Sequence, residues 1–294
     1  LYCAHPETHF SGPEILSIDE IIKITGLIHK TYGLRKVRLT GGEPLLRGDI
    51  TGLVSAIKKM GIRDLSMTTN GHLLPEKARA LMLAGLDRVN ISLDTLDAEK
   101  YREMTGGGDM SRVWKAIDAA RANNLTPIKI NIVPVRGVND DEMASFAALT
   151  FKEDFHIRFI ELMPLKTHPD LSVKKEAIMD EVSKAGRLVR LPFRGGGPSR
   201  NYRLEGAKGI IGFISPVSDH FCHYCNRLRL TANGMLRPCL LRDFEVDLRT
   251  AMRDGMAEDE LVKLIQKAAA SKGKVHPPFT SSALIKTSMC RIGG

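Results

Sequence analysis

The chain has 294 residues and carries 43 lysines and arginines against 34 aspartates and glutamates, a formal net charge of +9. Hydrophobic residues make up 43% and charged residues 26%, which predicts one large or two modest globular domains and excludes a disordered tail or a secreted mini-protein. No apolar run approaches the roughly 18 residues of a membrane span, so we predict a cytoplasmic protein that does not contact membranes.

Cysteine usage points to metal binding rather than to disulfides. The five cysteines are Cys3, Cys222, Cys225, Cys239 and Cys290. An odd, clustered set in a long chain is typical of reduced thiols, some of them metal ligands. The chain begins at Leu1 rather than at a methionine, and we expect its natural start to lie upstream.

Strand-like and helix-like runs alternate along the first part of the chain. The first helix is predicted from the capping box Ser17-x-x-Glu20 and ends near Gly33. Strands are predicted at about 36–40, 64–69, 88–93, 127–135 and 157–163, followed by helices at about 50–60, 75–85, 110–123, 140–149 and 173–185. Asn139 is a predicted N-cap. Because no G-x-G-x-x-G follows a strand, this α/β alternation predicts a partial (incomplete) TIM-type barrel rather than a Rossmann sheet.

The alternation of strand-like and helix-like runs ends after residue 186. Short strand-like runs at 187–192, 201–204 and 209–214 precede the cysteine cluster, and Asn233-Gly234 predicts a hairpin turn. Two helices are expected at about 247–253 and 257–272. We therefore predict a partial barrel over 1–186 and a C-terminal cluster-binding subdomain over 187–294.

The spacing C-x2-C-x13-C of Cys222, Cys225 and Cys239 indicates a metal centre. Two thiolates of one tight turn can reach a single centre, and the third returns from the far strand of the predicted hairpin. Three thiolates leave a fourth position for an iron–sulfur cluster with one open iron, or for a zinc ion completed by His220, His223 or water. The spacing leaves both open, and Cys290 is interpreted as a bystander.

Gly41-Gly42-Glu43-Pro44 follows a predicted strand. Two glycines let a small molecule approach the backbone closely, and neighbouring carbonyl and carboxylate oxygens can hold an ammonium group. As a bare tetrapeptide, such a sequence is more often an ordinary turn.

Several segments together resemble the radical S-adenosylmethionine (SAM) family, and within it the GTP 3′,8-cyclases of molybdenum cofactor biosynthesis. They are Tyr2-Cys3, VRLTGGEPLLR (37–47), TTNGHLL (68–74), VNISLDTLD (89–97), KINIVPVRGVNDDE (129–142), IRFIELMP (157–164), CHYCNRLRLTANGMLRPCL (222–240) and MCRIGG (289–294). GGEP marks only the superfamily, whereas the cysteine segment with its Arg-x-Arg and the Gly-Gly end is specific to the cyclases.

The resemblance implies SAM and two [4Fe–4S] clusters as cofactors. Cys3 matches a ligand of the first cluster, which is incomplete in this chain because the family's other two ligands would precede Leu1. The second cluster's ligands match Cys222, Cys225 and Cys239. The SAM contacts match Tyr2, Gly42, Ser92 and Met163, and the GTP contacts match Arg38, Thr69, Lys129, Arg227 and Arg229. The terminal Gly293-Gly294 is expected to enter the active site. We expect the barrel residues of this set to meet at the carboxyl ends of the strands.

The implied activity is the lyase reaction that converts GTP to (8S)-3′,8-cyclo-7,8-dihydroguanosine 5′-triphosphate. The implied downstream partner is cyclic pyranopterin monophosphate synthase, and no nucleic acid is expected as a partner. The electron donor and the oligomeric state stay undetermined, with a homodimer as one option. Three alternatives stay open: a peptide-modifying radical SAM enzyme with an auxiliary cluster, a zinc-containing nucleic-acid-binding module, and a scaffold protein that has lost activity.

Overall fold

The structure is a computed structural model, and it describes residues 14–163, 169–192, 197–219 and 221–273. The predicted site residues Tyr2, Cys3, Gly293 and Gly294 lie outside the described residues, as do His220 and Cys290. Within the described ranges, no helix is both long and apolar enough to cross a bilayer.

Helices and strands alternate in the first part of the chain as the sequence predicts, except that two helices separate the third strand from the fourth. The helices are α1 (Ile18–Tyr32), α2 (Ile50–Lys59), α3 (Leu74–Leu83), α4 (Ala98–Thr105), α5 (Met110–Ala122), α6 (Met143–Lys152), α7 (Lys175–Ser183), α8 (Leu248–Arg253) and α9 (Glu258–Ala270). The strands are β1 (Lys36–Leu39), β2 (Asp64–Thr69), β3 (Arg88–Ser92), β4 (Lys129–Ile132), β5 (His156–Ile160), β6 (Leu188–Arg190), β7 (Arg200–Leu204), β8 (Ile210–Ile214), β9 (Arg229–Leu230), β10 (Met235–Arg237) and β11 (Val246–Asp247).

The main sheet has eight strands in the order β1-β2-β3-β4-β5-β8-β7-β6. The pairs β1–β2, β3–β4, β4–β5 and β5–β8 are parallel, whereas β7 runs antiparallel to both β8 and β6. The two end strands, β1 and β6, do not close the sheet. The predicted α/β fold with an incomplete barrel-type sheet is therefore confirmed.

The chain forms two compact units, each interleaved in sequence. One consists of Thr68–Arg79 and Arg88–Cys225, and the other includes the described residues 14–67, 80–87 and 226–273. Strands β6 to β8 follow residue 186 yet belong to the main sheet. The boundary predicted at 186 thus coincides neither with an end of the sheet nor with the division into units, and as a division of function it stays a prediction.

In the first unit, the core lies on the apolar face of strands β4 and β5. Ile130, Ile132, Ile157 and Phe159 are at most 1% exposed and alternate with more exposed polar residues. Helix α5 packs on β3, and α6 packs on β5. Since side chains of a strand point to alternate faces, the polar residues occupy the opposite face of the sheet.

In the second unit, α1 begins at the predicted capping box. The Glu20 amide donates to Ser17 Oγ at 3.2 Å, and the Ser17 amide donates to Glu20 Oε2 at 2.7 Å. Gly33 ends the helix with a φ of 60°, a left-handed conformation that glycine adopts without a steric penalty. Residues of α1 and α9 share a buried apolar cluster with Leu16 and with Leu236 of β10.

Two local expectations are wrong. Asn139 makes no side-chain cap bond, because its side chain instead accepts the Val135 amide at 2.7 Å and donates to the Val133 carbonyl at 3.1 Å. Strand β4 is shorter than the predicted 127–135, since the Val133 amide turns to Asp94 Oδ1 at 2.8 Å. Helix α4 was not expected from the sequence, where only its N-cap Asp97 signals a start.

Candidate functional site

A stripe of polar side chains crosses β3, β4 and β5. In the register of these parallel strands, Asn90 and Ser92 pair with Lys129 and Asn131, which pair in turn with His156 and Arg158. Residues paired in this way point to the same face of the sheet. The polar stripe, defined by these six residues, therefore lies on the face opposite the apolar core.

The cationic end of the polar stripe shifts the titration of its histidine. Burial, and next the charges of Lys129 and Arg158, lower the pKa of His156 from 6.5 to about 4. Asp154 opposes this shift, whereas Arg203 adds to it. His156 is consequently neutral near pH 7, in the field of Lys129 and Arg158. Such a surface is suited to bind phosphate groups, because guanidinium and ammonium groups form strong charge-assisted hydrogen bonds with them.

The other end of the polar stripe has neutral hydrogen-bonding groups. Asn90 Nδ2 donates to Thr68 Oγ1 at 3.2 Å. Asn131 Oδ1 is buried and accepts no hydrogen bond from the described residues. A buried carbonyl oxygen without a donor is costly, which suits a position where a ligand supplies the missing donor. Asn131 lies beside Ser92, the residue that matches a SAM contact.

Two predicted site residues of the first unit lie at or just beyond strand ends. Thr69 ends β2, is 2% exposed, and its Oγ1 accepts the Gly71 amide at 3.0 Å. Met163 follows β5 and is half-buried. Near it, the buried Glu161 accepts the Val217 and Ser218 amides at 2.9 and 3.0 Å on a single oxygen. That carboxylate anchors the loop after β8.

Lys129 does not lie where it was expected. It is the first residue of β4, so its backbone is at the amino end of the strand. The expectation that all barrel residues of the site follow strand ends is therefore wrong for Lys129. Its side chain belongs to the face of the sheet that carries Asn90 and His156, its partners in the strand register.

In the second unit, Arg38 and Gly42 lie in and just after β1. Arg38 is exposed in β1, and Gly42 follows the strand. A Cβ atom placed on Gly42 would meet no atom within 4 Å, so this backbone is open to a ligand. The Glu43 carboxylate accepts the Leu45 amide at 3.0 Å and caps the short turn Pro44–Leu46.

Arg227 and Arg229 lie on the way into the hairpin of β9 and β10. Strand β9 begins at Arg229, and Arg227 precedes it. Arg227 is held through its backbone, since its carbonyl accepts Lys272 Nζ at 2.5 Å. The predicted turn is confirmed, with Gly234 at a φ of 84°.

The three thiols predicted as cluster ligands, Cys222, Cys225 and Cys239, differ in their local contacts. Cys222 and Cys225 share one tight turn, in which the Cys225 amide donates to the Cys222 carbonyl at 3.1 Å. Cys239 Sγ accepts the Leu241 amide at 3.4 Å, a contact that stabilises thiolate charge. All three are half-buried, and none forms a disulfide with another described cysteine. Thiolates are the donors that proteins supply to iron–sulfur clusters.

Cys222 and Cys225 belong to the first unit and Cys239 to the second. Within the described part of the chain, no three His, Cys, Asp or Glu side chains are grouped to hold a metal ion. A shared centre for the three thiols therefore stays a prediction.

Sequence reasoning missed Asn90, Asn131, His156 and Arg158. The signal was present in the runs KINI and HIRFI, where polar and apolar residues alternate in strands expected to be buried on both faces. Charged residues at every second position of such a strand indicate a polar inner surface.

Two family models match successive parts of the chain. Residues 1–150 match the radical SAM superfamily, and residues 155–278 match Molybdenum Cofactor Synthesis C. Among solved structures, SuiB of Streptococcus suis bound to its precursor peptide SuiA is similar, with a TM-score of 0.56 and 16% identity over 90% of this chain and 64% of that chain. At that identity the likeness shows the fold alone.

Curated relatives cover most of the chain. The GTP 3′,8-cyclase of Pelotomaculum thermopropionicum is 46% identical over 286 residues, 94% of this chain and 87% of that protein. The GTP 3′,8-cyclase of Heliobacterium modesticaldum is 48% identical over 271 residues, 90% of this chain and 82% of that protein. The chain is therefore an enzyme of the radical SAM superfamily and belongs, within it, to the GTP 3′,8-cyclase family.

Proposed function

We propose that the protein converts GTP to (8S)-3′,8-cyclo-7,8-dihydroguanosine 5′-triphosphate, the first step of molybdenum cofactor biosynthesis. The observation that carries this proposal is the identity of 46% and 48% to two curated cyclases along nearly the whole chain. The radical SAM and molybdenum cofactor models match in tandem and support it. A peptide substrate has no such support, because the likeness to SuiB is confined to the fold.

SAM and a first [4Fe–4S] cluster, when bound, supply one-electron radical chemistry. In this proposal Cys3 is a ligand of that cluster, and Tyr2, Gly42, Ser92 and Met163 contact SAM. The Ser92 hydroxyl and the neighbouring Asn131 carbonyl oxygen offer hydrogen bonds to the polar groups of such a ligand. The open backbone at Gly42 admits it without a side-chain clash.

The proposed role of the cations is to hold the triphosphate of GTP. A triphosphate carries close to four negative charges, and Arg38, Thr69, Lys129, Arg227 and Arg229 are its proposed contacts. To these we add Arg158, which the strand register places diagonally from Lys129 on the same face. Gripping the phosphates would orient the ribose and the base for reaction, and such positioning lowers the barrier to the step.

The proposed second cluster is held by Cys222, Cys225 and Cys239, with its open iron toward the guanine. Gly293 and Gly294 are proposed to enter the active site, where residues without side chains fit a crowded pocket. The protein is proposed to act in the cytoplasm, with cyclic pyranopterin monophosphate synthase consuming its product.

The decisive experiment is an anaerobic assay, with GTP, SAM and a strong reductant, of the reconstituted product of the whole gene, so that the other two predicted ligands of the first cluster are tested together with Cys3. We expect 5′-deoxyadenosine and the cyclised nucleotide in equal amounts. Formation of 5′-deoxyadenosine without cyclised nucleotide would contradict the proposed function. The variant Cys222→Ser should lose the second cluster and GTP binding, whereas Ser145→Ala, at an exposed position of α6, serves as the matched control.

A further inference from the structure

Arg237 has the largest side chain among the fully buried residues that the structure describes, with 1% exposure. It is the last residue of β10, and its strand partner is Arg229 of β9. The guanidinium group is always ionised, so removing it from water is expensive unless it is fully bonded. Neither the proposed GTP contacts nor the proposed cluster ligands include Arg237.

The partners of Arg237 all come from one short segment that follows it. Nη1 donates to Glu245 Oε2 at 2.8 Å, and Nη2 donates to the Arg242 carbonyl at 2.5 Å. Asp243 Oδ1 lies 3.7 Å from Nη2. Because β10 ends at Arg237 and β11 begins at Val246, the guanidinium joins the two ends of the loop 238–245.

Cys239 lies inside this loop. The preceding residue, Pro238, is buried, and its ring restricts its φ. The sulfur of Cys239 accepts a hydrogen bond from the Leu241 amide at 3.4 Å. The loop therefore places a thiol within a backbone that three separate contacts hold: the proline, the amide–sulfur hydrogen bond and the Arg237 fork.

Stability alone does not account for this arrangement. Arg237 Nε is buried and has no partner among the described residues, and both carboxylates that face the fork are partly exposed. A buried ion pair with an unsatisfied donor is a poor source of stability compared with an apolar side chain of similar volume. The planar guanidinium group instead fixes the geometry of the loop, because it binds two acceptors at fixed angles.

We propose that Arg237 is a positioning residue for Cys239, holding the loop 238–245 in the conformation in which the thiolate binds the second cluster. The proposal rests on the proposed function only for the identity of the bound group. The fork acts through Glu245 and the Arg242 carbonyl, and Arg237 itself contacts neither cluster nor substrate in this role.

The first test uses the full chain without clusters and measures how fast each cysteine is alkylated by iodoacetamide, by peptide mass spectrometry. In Arg237→Gln we expect Cys239 to be alkylated about tenfold faster, because a charge-assisted hydrogen bond no longer closes the loop. Cys222 and Cys225 serve as internal references and should keep their rates. Arg190→Gln, at an exposed position of β6, is the matched control.

Three further variants separate positioning from charge and guard against misfolding. Arg237→Lys keeps the positive charge but lacks the planar fork that bonds two acceptors at once. We therefore expect Cys239 to be alkylated faster in this variant as well. Glu245→Gln keeps a hydrogen-bond acceptor, so we expect Cys239 to be alkylated at about the wild-type rate. In Glu245→Ala the acceptor is lost, and we expect faster alkylation of Cys239. Unchanged Cys239 rates in Arg237→Lys and Glu245→Ala would overturn the proposal.

The second test measures iron and sulfide content and the low-temperature electron paramagnetic resonance spectrum after reconstitution. We expect Arg237→Gln to lose the signal of the second cluster, and an unaltered spectrum in Arg237→Gln would count against the proposal. If the wild-type protein takes up no second cluster, the proposed ligand set is wrong, and the alkylation rates still decide whether Arg237 fixes the Cys239 loop.

Discussion

The side chain of Asn139 donates to the backbone carbonyl of Asp94 at 2.6 Å and thereby joins the segments that follow β3 and β4. A second hydrogen bond joins the same two segments, because the Asp94 carboxylate accepts the Val133 amide at 2.8 Å. Close by, the Glu142 carboxylate accepts Lys100 Nζ and the Leu96 amide at 2.8 and 2.7 Å. These polar contacts fix the backbone that follows Ser92, and they therefore restrict the position of Ser92, a proposed SAM contact.

Replacing Asn139 should therefore affect both stability and ligand binding. The residue is fully buried and makes three side-chain hydrogen bonds to backbone groups. We expect Asn139→Ala to lower the free energy of unfolding by about 2–4 kcal/mol, because several backbone groups lose their partner at once. Urea titration measures the loss, and Ser145→Ala should show almost none. A change below about 0.5 kcal/mol would contradict this role.

Lys129 and Arg158 of the polar stripe should contribute to the binding of GTP but not to the binding of guanosine, which lacks phosphates. We expect Lys129→Gln and Arg158→Gln each to weaken GTP binding by about tenfold to a hundredfold, the usual effect of one charge-assisted contact. Guanosine binding should change little, since it lacks the phosphates. Calorimetric titration with both ligands checks this, with Arg190→Gln as control. An equal loss for GTP and guanosine would mean that the site itself is distorted.

His156 should make the protein sensitive to mild acid. Its pKa in the folded state is lowered from 6.5 to about 4, chiefly by burial and then by Lys129 and Arg158. Between these values the unfolded chain binds the proton and the folded chain does not, so stability falls as the pH falls from 6.5 toward 4. We expect the loss to reach about 2 kcal/mol. Urea titrations of wild type and His156→Gln across this range should diverge, and parallel curves would refute the assignment.

The pair of Glu20 and Arg253 should act in a more acidic range. Arg253 donates to both carboxylate oxygens at 2.6 and 3.0 Å, and this contact, with the Ser17 amide, lowers the pKa of Glu20 to about 2. The contribution is complete above pH 4.5 and is lost as the pH falls toward 2. We expect Arg253→Gln to unfold at lower urea concentration at pH 7 but to match wild type near pH 2. A constant difference at all pH values would show another cause.

The amino-acid sequence by itself determined the order of the elements and the family. Hydrophobic periodicity located β1 to β5 and the helices between them other than α4, because these signals arise within a single element. The Ser17 capping box and the turn at Gly234 were equally local, since each depends on residues a few positions apart. The cysteine spacing and the family motifs could be read in the same way.

Only the tertiary structure decided which residues stand side by side. The polar stripe depends on strand register, which sets Asn131 beside Ser92 and Arg158, and no local pattern specifies a pairing between distant segments. For the same reason Asn139 looked like a helix cap, because its partner Asp94 is far away in sequence. Burial of Arg237 was equally hidden, since a charged side chain near a turn is usually solvated, and the fold alone closes the loop around it.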